Sequence, residues 1–194
     1  MTHRCYLALD LEMNQPSRRI IQVGVAVGAP GCVPAEIVTR EWLLDPEEPI
    51  APNIEALTGI SDWDIQERAV SWGQVAEELG ALIHEHQCFV NPVTWGGGDS
   101  ELLLAAFRER GIHFPFFGRR WLDVKTWHVC QSLATGKRHA GGLASVMGGY
   151  KLPFIGKAHR ADVDALNTLR LFFLLADRHL SFCEVVRLSR GIKD

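Results

Sequence analysis

Basic charge is scarce in this chain. Its 194 residues carry 20 lysines and arginines against 23 aspartates and glutamates, a formal net charge of −3. That balance excludes a nucleic-acid partner held by bulk electrostatics, which a basic surface would announce. Cysteine is sparse as well. Cys5, Cys32, Cys88, Cys130 and Cys183 lie far apart, are odd in number and include no Cys-x-x-Cys pair. Reduced thiols in a cytoplasmic protein are expected, rather than a zinc site or a disulfide framework. No apolar run approaches the ~18 residues that span a membrane. The first five residues open no apolar stretch and no small-residue cleavage site, so a secretory signal is not expected either. Repeats, linkers and low-complexity segments are missing. Apolar residues at 47% and charged residues at 22% fit a globular chain, and the length suits one core. One domain over residues 1–194 is expected.

The pattern that is present changes character along the chain. Cys5 to Glu12, Ile20 to Val27 and Glu36 to Leu44 read as strands. Their short connections, the second strand closing on Gly28-Ala29-Pro30-Gly31, imply an antiparallel meander. After a loop marked by Pro46, Pro49 and Pro52 the rhythm turns helical. Asn53 to Ile60 reads as a short helix. Ser71 to His86 has Trp72, Val75, Ala76, Leu79, Leu82 and Ile83 at helical spacing, with Ser71 as N-cap. Cys88 to Trp95 is strand-like, though Pro92 removes one ladder bond. Asp99 to Arg110 reads as a helix and Leu122 to Val124 as a short strand, followed by a helix to Leu133. Gly141 to Gly148, Ala161 to Arg178 and Ser181 to Arg190 complete the helices. The expected class is α/β with a mixed sheet.

Three clusters carry chemistry. Asp10 and Glu12 stand two apart at the end of the first strand, on the face of Tyr6 and Ala8 and ~7 Å apart. Leu7, Leu9 and Leu11 take the other face. Two like charges ending a strand covered on both sides either emerge into solvent or hold a hard cation such as Mg²⁺ or Mn²⁺. Asp99 follows Trp95-Gly96-Gly97-Gly98 and opens a helix. It reads as an N-cap, or as a ligand reached by a backbone that glycine lets come close. In the third cluster, His159 and Asp164 are five apart, ~140° around a helix. They share a site only if His159 precedes the helix. Periodicity leaves open which aspartate points inward. Asp162 continues Leu166, Leu169 and Phe173, while Asp164 continues Thr168, Leu171 and Leu175. His84-Glu85-His86, at a helix end, reads as a solvated turn.

In this order and spacing, Asp10-Leu11-Glu12, then Asp99, then His159 with Asp164, resemble the three motifs of the DEDDh group of 3′→5′ exonucleases. That group includes oligoribonuclease, ribonuclease T, the proofreading subunit of bacterial replicative polymerase and the histone-mRNA 3′ exonucleases. Ala8 to Met13 is similar to oligoribonuclease. Ile50-Ala51-Pro52 and Leu57-Thr58-Gly59-Ile60-Ser61 are similar to the loop between the first two motifs. Trp95-Gly96, His159-Arg160-Ala161 and Asp164-Ala165-Leu166-Asn167 look most like the histone-mRNA branch. Three glycines before Asp99 and the proline at position 92 are departures from the group.

The resemblance implies a ribonuclease H-like fold: three antiparallel strands, two parallel ones, and helices on both faces. It implies two divalent cations, Mg²⁺ or Mn²⁺, with Asp10 between them, Glu12 and Asp164 on the first and Asp99 on the second. Its His-x₄-Asp spacing selects Asp164, and it makes His159 the general base. An imidazole, with a reference pKa of ~6.5, is mostly neutral at pH 7 and suits that task. The implied substrate is single-stranded RNA or DNA with a free 3′ end, RNA slightly favoured, cut to nucleoside 5′-monophosphates. Metal then supplies the attraction that net charge does not. Met13 and Asn14 are expected at the terminal sugar, and Leu57 is expected to wedge against the last base. Arg160, with Arg18, Arg19, Arg119, Arg120, Lys137 and Arg138, is a candidate for the backbone. The tryptophans Trp42, Trp63, Trp72, Trp95, Trp121 and Trp127 serve as stacking platforms or as core. A homodimer through the apolar final helices is also expected, because several relatives are dimers. The competing readings are a DNA-directed proofreading or trimming exonuclease, a phosphodiesterase of very short oligonucleotides, and a catalytically idle nucleic-acid-binding module.

Overall fold

Three of the five strands form up-and-down neighbours in the computed structural model, which describes residues 5–115, 120–136 and 140–189. β1 (Tyr6–Met13), β2 (Ile20–Gly28) and β3 (Val38–Leu43) pair antiparallel. β4 (Val93–Thr94) then pairs parallel to β1, and β5 (Leu122–Asp123) parallel to β4. The sheet order is β3-β2-β1-β4-β5. This is the expected mixed sheet. β2 is buried along its whole length, as a strand with neighbours on both edges and helices on both faces must be.

Strict alternation along β1 divides the interior in two. Leu7, Leu9 and Leu11 enter a core with Val75, Leu79 and Leu82 of α3 (Trp72–Glu85) and Leu103 and Phe107 of α4 (Asp99–Glu109). Ala8 faces Val124 of α5 (Val124–Ala134), Leu143 and Met147 of α6 (Leu143–Gly149), and Leu169 and Phe173 of α7 (Ala161–Ser189). Each fully buried leucine in these layers contributes about 1.5–3 kcal/mol over its exposed state. α3 starts where expected, with Ser71 Oγ accepting the Gln74 N–H at 3.1 Å.

Several boundaries differ from expectation. The first expected helix is α1 (Pro52–Thr58), but a second, α2 (Asp62–Arg68), follows it. The strand expected from Glu36 starts only at Val38, because Pro34–Glu36 forms a 3₁₀ turn. The strand expected over Cys88 to Trp95 contracts to two residues. Pro92 offers no N–H, and its carbonyl instead accepts from Leu122 N at 2.8 Å. The two final helices are one. No glycine or proline interrupts Arg178 to Ser181, so α7 runs on to Ser189. From Asp177 to Val185 its side chains are exposed, Leu180, Phe182 and Val185 at about 65%. Among the described residues no helix is long and apolar enough to cross a membrane.

Candidate active site

The site forms where the start of α7 meets the sheet. Asp10 on β1 stands opposite Gly24 on β2. A Cβ built on Gly24 would lie 2.0 Å from both Ala161 C and Asp162 N. Only a hydrogen fits there, so the first turn of α7 rests directly on the strand beside Asp10. The fully buried Gln22 receives it, its Oε1 accepting the Ala161 N–H at 2.9 Å. His159 precedes the helix with φ 64°, which meets the condition for sharing a site with Asp164. Its N–H donates to Asp164 Oδ2 at 2.9 Å. Asp164 lines the cleft. Asp162 turns instead toward Arg160, with Oδ1 3.8 Å from Nε. The choice that periodicity left open therefore falls on Asp164.

Asp99 arrives from the other side of β1. It is the first residue of α4, and Gly98, with φ 110°, takes the N-cap position that the sequence offered to Asp99. Only glycine accepts that φ without strain. The loop before it is tied down by Asp123, whose Oδ1 accepts the N–H groups of Gly96 at 2.9 Å and Lys125 at 2.9 Å. Asp123 caps α5 and fixes the Asp99 loop with one carboxylate.

A cleft of about 350 Å³ is lined by Asp10, Glu12, Asp164, His159, Trp95 and Leu143 among others; Asp99 does not line it, although its charge reaches Asp10 and Glu12. Glu12, His159 and Asp164 each offer a ligand atom, all within 4.8 Å of one another, the one such group among the described residues. His84-Glu85-His86 forms none. Burial and repulsion are visible in the acid strengths. Burial first, then the charges of Asp164, Asp99 and Glu12, push the Asp10 carboxyl well above its ordinary range. Burial, Asp164 and Asp99 push Glu12 up to about 7, against a lowering by Arg160. Burial pushes Asp99 up to about 6, and the Arg18 charge opposes it. Asp164 is raised by burial, offset by the His159 N–H. A set of hard oxygen donors that repel one another in a half-buried pocket suits a divalent cation, which reverses the field.

None of the four residues expected at the substrate lines this cleft. The side chain of Met13 packs with the Leu7, Leu9 and Leu11 core. Asn14 is buried and spent on a loop: its Nδ2 donates to Glu48 at 2.8 Å and Pro49 O at 2.9 Å, and its Oδ1 accepts Ala51 N at 2.8 Å. Leu57 sits on α1, 43% exposed. The Arg160 guanidinium pairs with Glu41. Of the other cations, Arg19 pairs with Glu47 at 3.1 Å, Arg18 and Arg120 are exposed, and Arg119, Lys137 and Arg138 lie outside the described residues. Among the tryptophans, Trp95 walls the cleft, Trp42 is core, and Trp72 and Trp127 meet Phe107 and Phe172 edge to face. Residues that sequence reasoning missed include Gln22, Gly24 and Asp123, and the apolar wall made by Leu143 and Phe154. Gln22 had a signal: a polar residue inside the run Ile20 to Val27 demands a buried partner.

The model of the Exonuclease family, RNase_T, matches residues 7–172. Among solved structures, the nuclease domain of 3′hExo, a DEDDh family member bound to rAMP, superposes with a TM-score of 0.76 at 14% identity, over 91% of this chain and 94% of that one. A 3′-exonuclease in 3′-end-specific recognition of the histone mRNA stem-loop gives 0.74 at 14%, over 92% and 84%. Cell-death related nuclease 4 gives 0.74 at 18%, over 91% of this chain and 64% of that one. No curated protein matches by sequence. At these identities the superpositions establish a shared fold. The family match over residues 7–172 shows that the chain belongs to the Exonuclease family.

Proposed function

We propose that this exonuclease trims single-stranded nucleic acid, RNA ahead of DNA, releasing nucleoside 5′-monophosphates, and that two divalent cations, Mg²⁺ or Mn²⁺, occupy its carboxylate cluster. What supports the reading is that Asp10, Glu12 and Asp164 line one cleft with His159, that the charge of Asp99 reaches Asp10 and Glu12, and that these carboxyls are displaced upward in pKa. Asp10, which feels all three other carboxylates, takes the central position. Glu12 and Asp164 hold the ion nearest His159, and Asp99 the other. Bound there, the ions supply Lewis-acid stabilisation and a water activated for attack on phosphorus.

His159 is exposed, so an imidazole nitrogen can take the proton of that water and release it to solvent. Its backbone is held by Asp164, which keeps the ring over the cluster. Leu143, Phe154 and Trp95 give the cleft an apolar side for the terminal nucleoside. The preference for RNA draws on the neighbours that hold rAMP and a histone mRNA stem-loop. The apolar, exposed Leu180, Phe182 and Val185 support a homodimer.

The test is direct. Purified protein is incubated with 5′-labelled single-stranded RNA and DNA in Mg²⁺, Mn²⁺ or EDTA. A ladder shortening from the 3′ end in either metal, absent in EDTA and faster on RNA, is expected. Faster trimming of DNA would assign the chain to DNA. Cleavage of neither strand in either metal would leave a nucleic-acid-binding module.

A further inference from the structure

The row across the sheet that contains Asp10 and Gly24 extends one strand further. Gly24 is opposite Glu41 on β3, and directly opposed residues share a face. The start of α7 therefore settles into a gap between two carboxylates, Asp10 on one side and Glu41 on the other. Glu41 grips it. Its carboxylate accepts from Arg160 and from Gln22 Nε2, and from Arg68 Nη2 of α2 at 2.6 Å. Gln22 passes the grip on, because its Oε1 takes the Ala161 N–H at 2.9 Å. Arg160 and Glu41 each expose only 24% of their side chains, and the Arg160 Nε faces Asp162 Oδ1 at 3.8 Å.

The residue just before this clamp is His159, held at φ 64°. A residue with a side chain stays in the left-handed region only where its surroundings hold it. One hold is the hydrogen bond from its N–H to Asp164. The other is the anchored residue that follows it. Released from Glu41, His159 would relax toward negative φ and carry its imidazole away from Glu12 and Asp164, with which it now groups within 4.8 Å.

We infer that Glu41 and Arg160 are a positioning pair that sets the geometry of His159 and Asp164, and that Arg160 is not a contact for the substrate backbone. The inference rests on the nuclease reading above for its kinetic arm only. Arg160 has directed its guanidinium inward, to Glu41 and Asp162, rather than to the cleft mouth. Glu41 thereby controls a site to which its own carboxylate contributes nothing directly.

The experiment uses Glu41→Gln, Arg160→Gln and the double variant. Mn²⁺ affinity of the full chain is measured by electron paramagnetic resonance without nucleic acid, and KM and kcat are measured on single-stranded RNA. Glu41→Gln is expected to weaken Mn²⁺ binding and to lower kcat by about 10–100-fold, the usual effect of removing a partner behind a ligand, while KM barely moves. The double variant is expected to be no worse than the weaker single. Arg160→Lys keeps the charge but not the planar fork. It is expected to melt like the parent and show the same loss, and it carries the test if Glu41→Gln does not fold. A rise in KM for Arg160→Gln, with Mn²⁺ affinity and kcat unchanged and Glu41→Gln silent, would make Arg160 a substrate cation and overturn the inference. A parent chain that binds Mn²⁺ but cleaves nothing would sink the nuclease reading, and the Mn²⁺ affinities would still decide the role of the pair.

Discussion

Asp10→Asn is expected to abolish cleavage and, in the same molecule, to make the metal-free fold more stable. The loss of activity should exceed the ~100-fold upper range for residues behind a ligand, because the proposed role of Asp10 is that of a metal ligand, and its carboxyl lines the cleft and feels all three other carboxylates. The gain in stability follows from repulsion. Asp10 is pushed well above the ordinary carboxylate range, Glu12 up to about 7 and Asp99 up to about 6. Between an ordinary carboxyl pKa of ~4 and ~7, the folded chain thus binds more protons than the unfolded one, so its stability falls as pH rises through that window. A carboxyl replaced by an amide escapes the penalty. Each pKa unit is worth ~1.4 kcal/mol, and each kcal/mol moves Tm by ~2–4 °C at this size. Scanning calorimetry in EDTA should therefore give Asp10→Asn a Tm several degrees above the parent at pH 8 and no gain at pH 4. Mg²⁺ or Mn²⁺ should raise the parent and leave the variant nearly unmoved. An equal Tm difference at both pH values would mean that the carboxylates do not strain the fold.

Gly24→Ala is the second large effect. The added methyl would meet two backbone atoms of α7 at 2.0 Å, and backbone cannot rotate aside as a side chain can. The helix must lift. Overpacking a core usually costs about 1–3 kcal/mol. Lifting α7 also parts Gln22 from the Ala161 N–H, leaving a buried amide unpaired at about 1–3 kcal/mol more. A Tm drop of ~10 °C or failure to fold is expected by circular dichroism, from the ~2–4 °C per kcal/mol at this length, along with loss of cleavage. Gly148→Ala is the control. The same methyl added in α6 meets nothing within 4 Å and should be neutral or slightly stabilising. Wild-type melting and cleavage for Gly24→Ala would show that α7 does not depend on this contact.

How far the sequence could be read follows the same physics. β1 was legible because both of its faces are buried, so its period of two is unbroken and leaves Asp10 and Glu12 together on one side. α3 was legible from Ser71 and its leucines. α2 was not, because only Ile65 of it is buried, and a helix lying on the surface shows little periodicity. Its signal was the pairing of Ser61 with Asp64, whose N–H donates to Ser61 Oγ. The choice between Asp162 and Asp164 was beyond periodicity. Both continue apolar stripes, since α7 is packed on more than one side, and the choice is made by where the helix crosses β2. That crossing depends on a single hydrogen at Gly24, which no local pattern marks. Asn14 and Arg160 lie off the cleft lining for a related reason. Being next in sequence to a motif does not direct a side chain into the cleft, and both have partners elsewhere, in the loop at Glu48 to Ala51 and at Glu41.

The unbroken length of α7 has a practical meaning. Its first turn carries Asp164, while its side chains from Leu180 to Val185 are exposed. At 1.5 Å per residue, Arg187 is ~35 Å along the axis from Asp164. The helix is thus a built-in stiff spacer. A bead, a surface or a fused module attached near Arg187 would hold the molecule at arm's length, with its mouth still open to a passing strand.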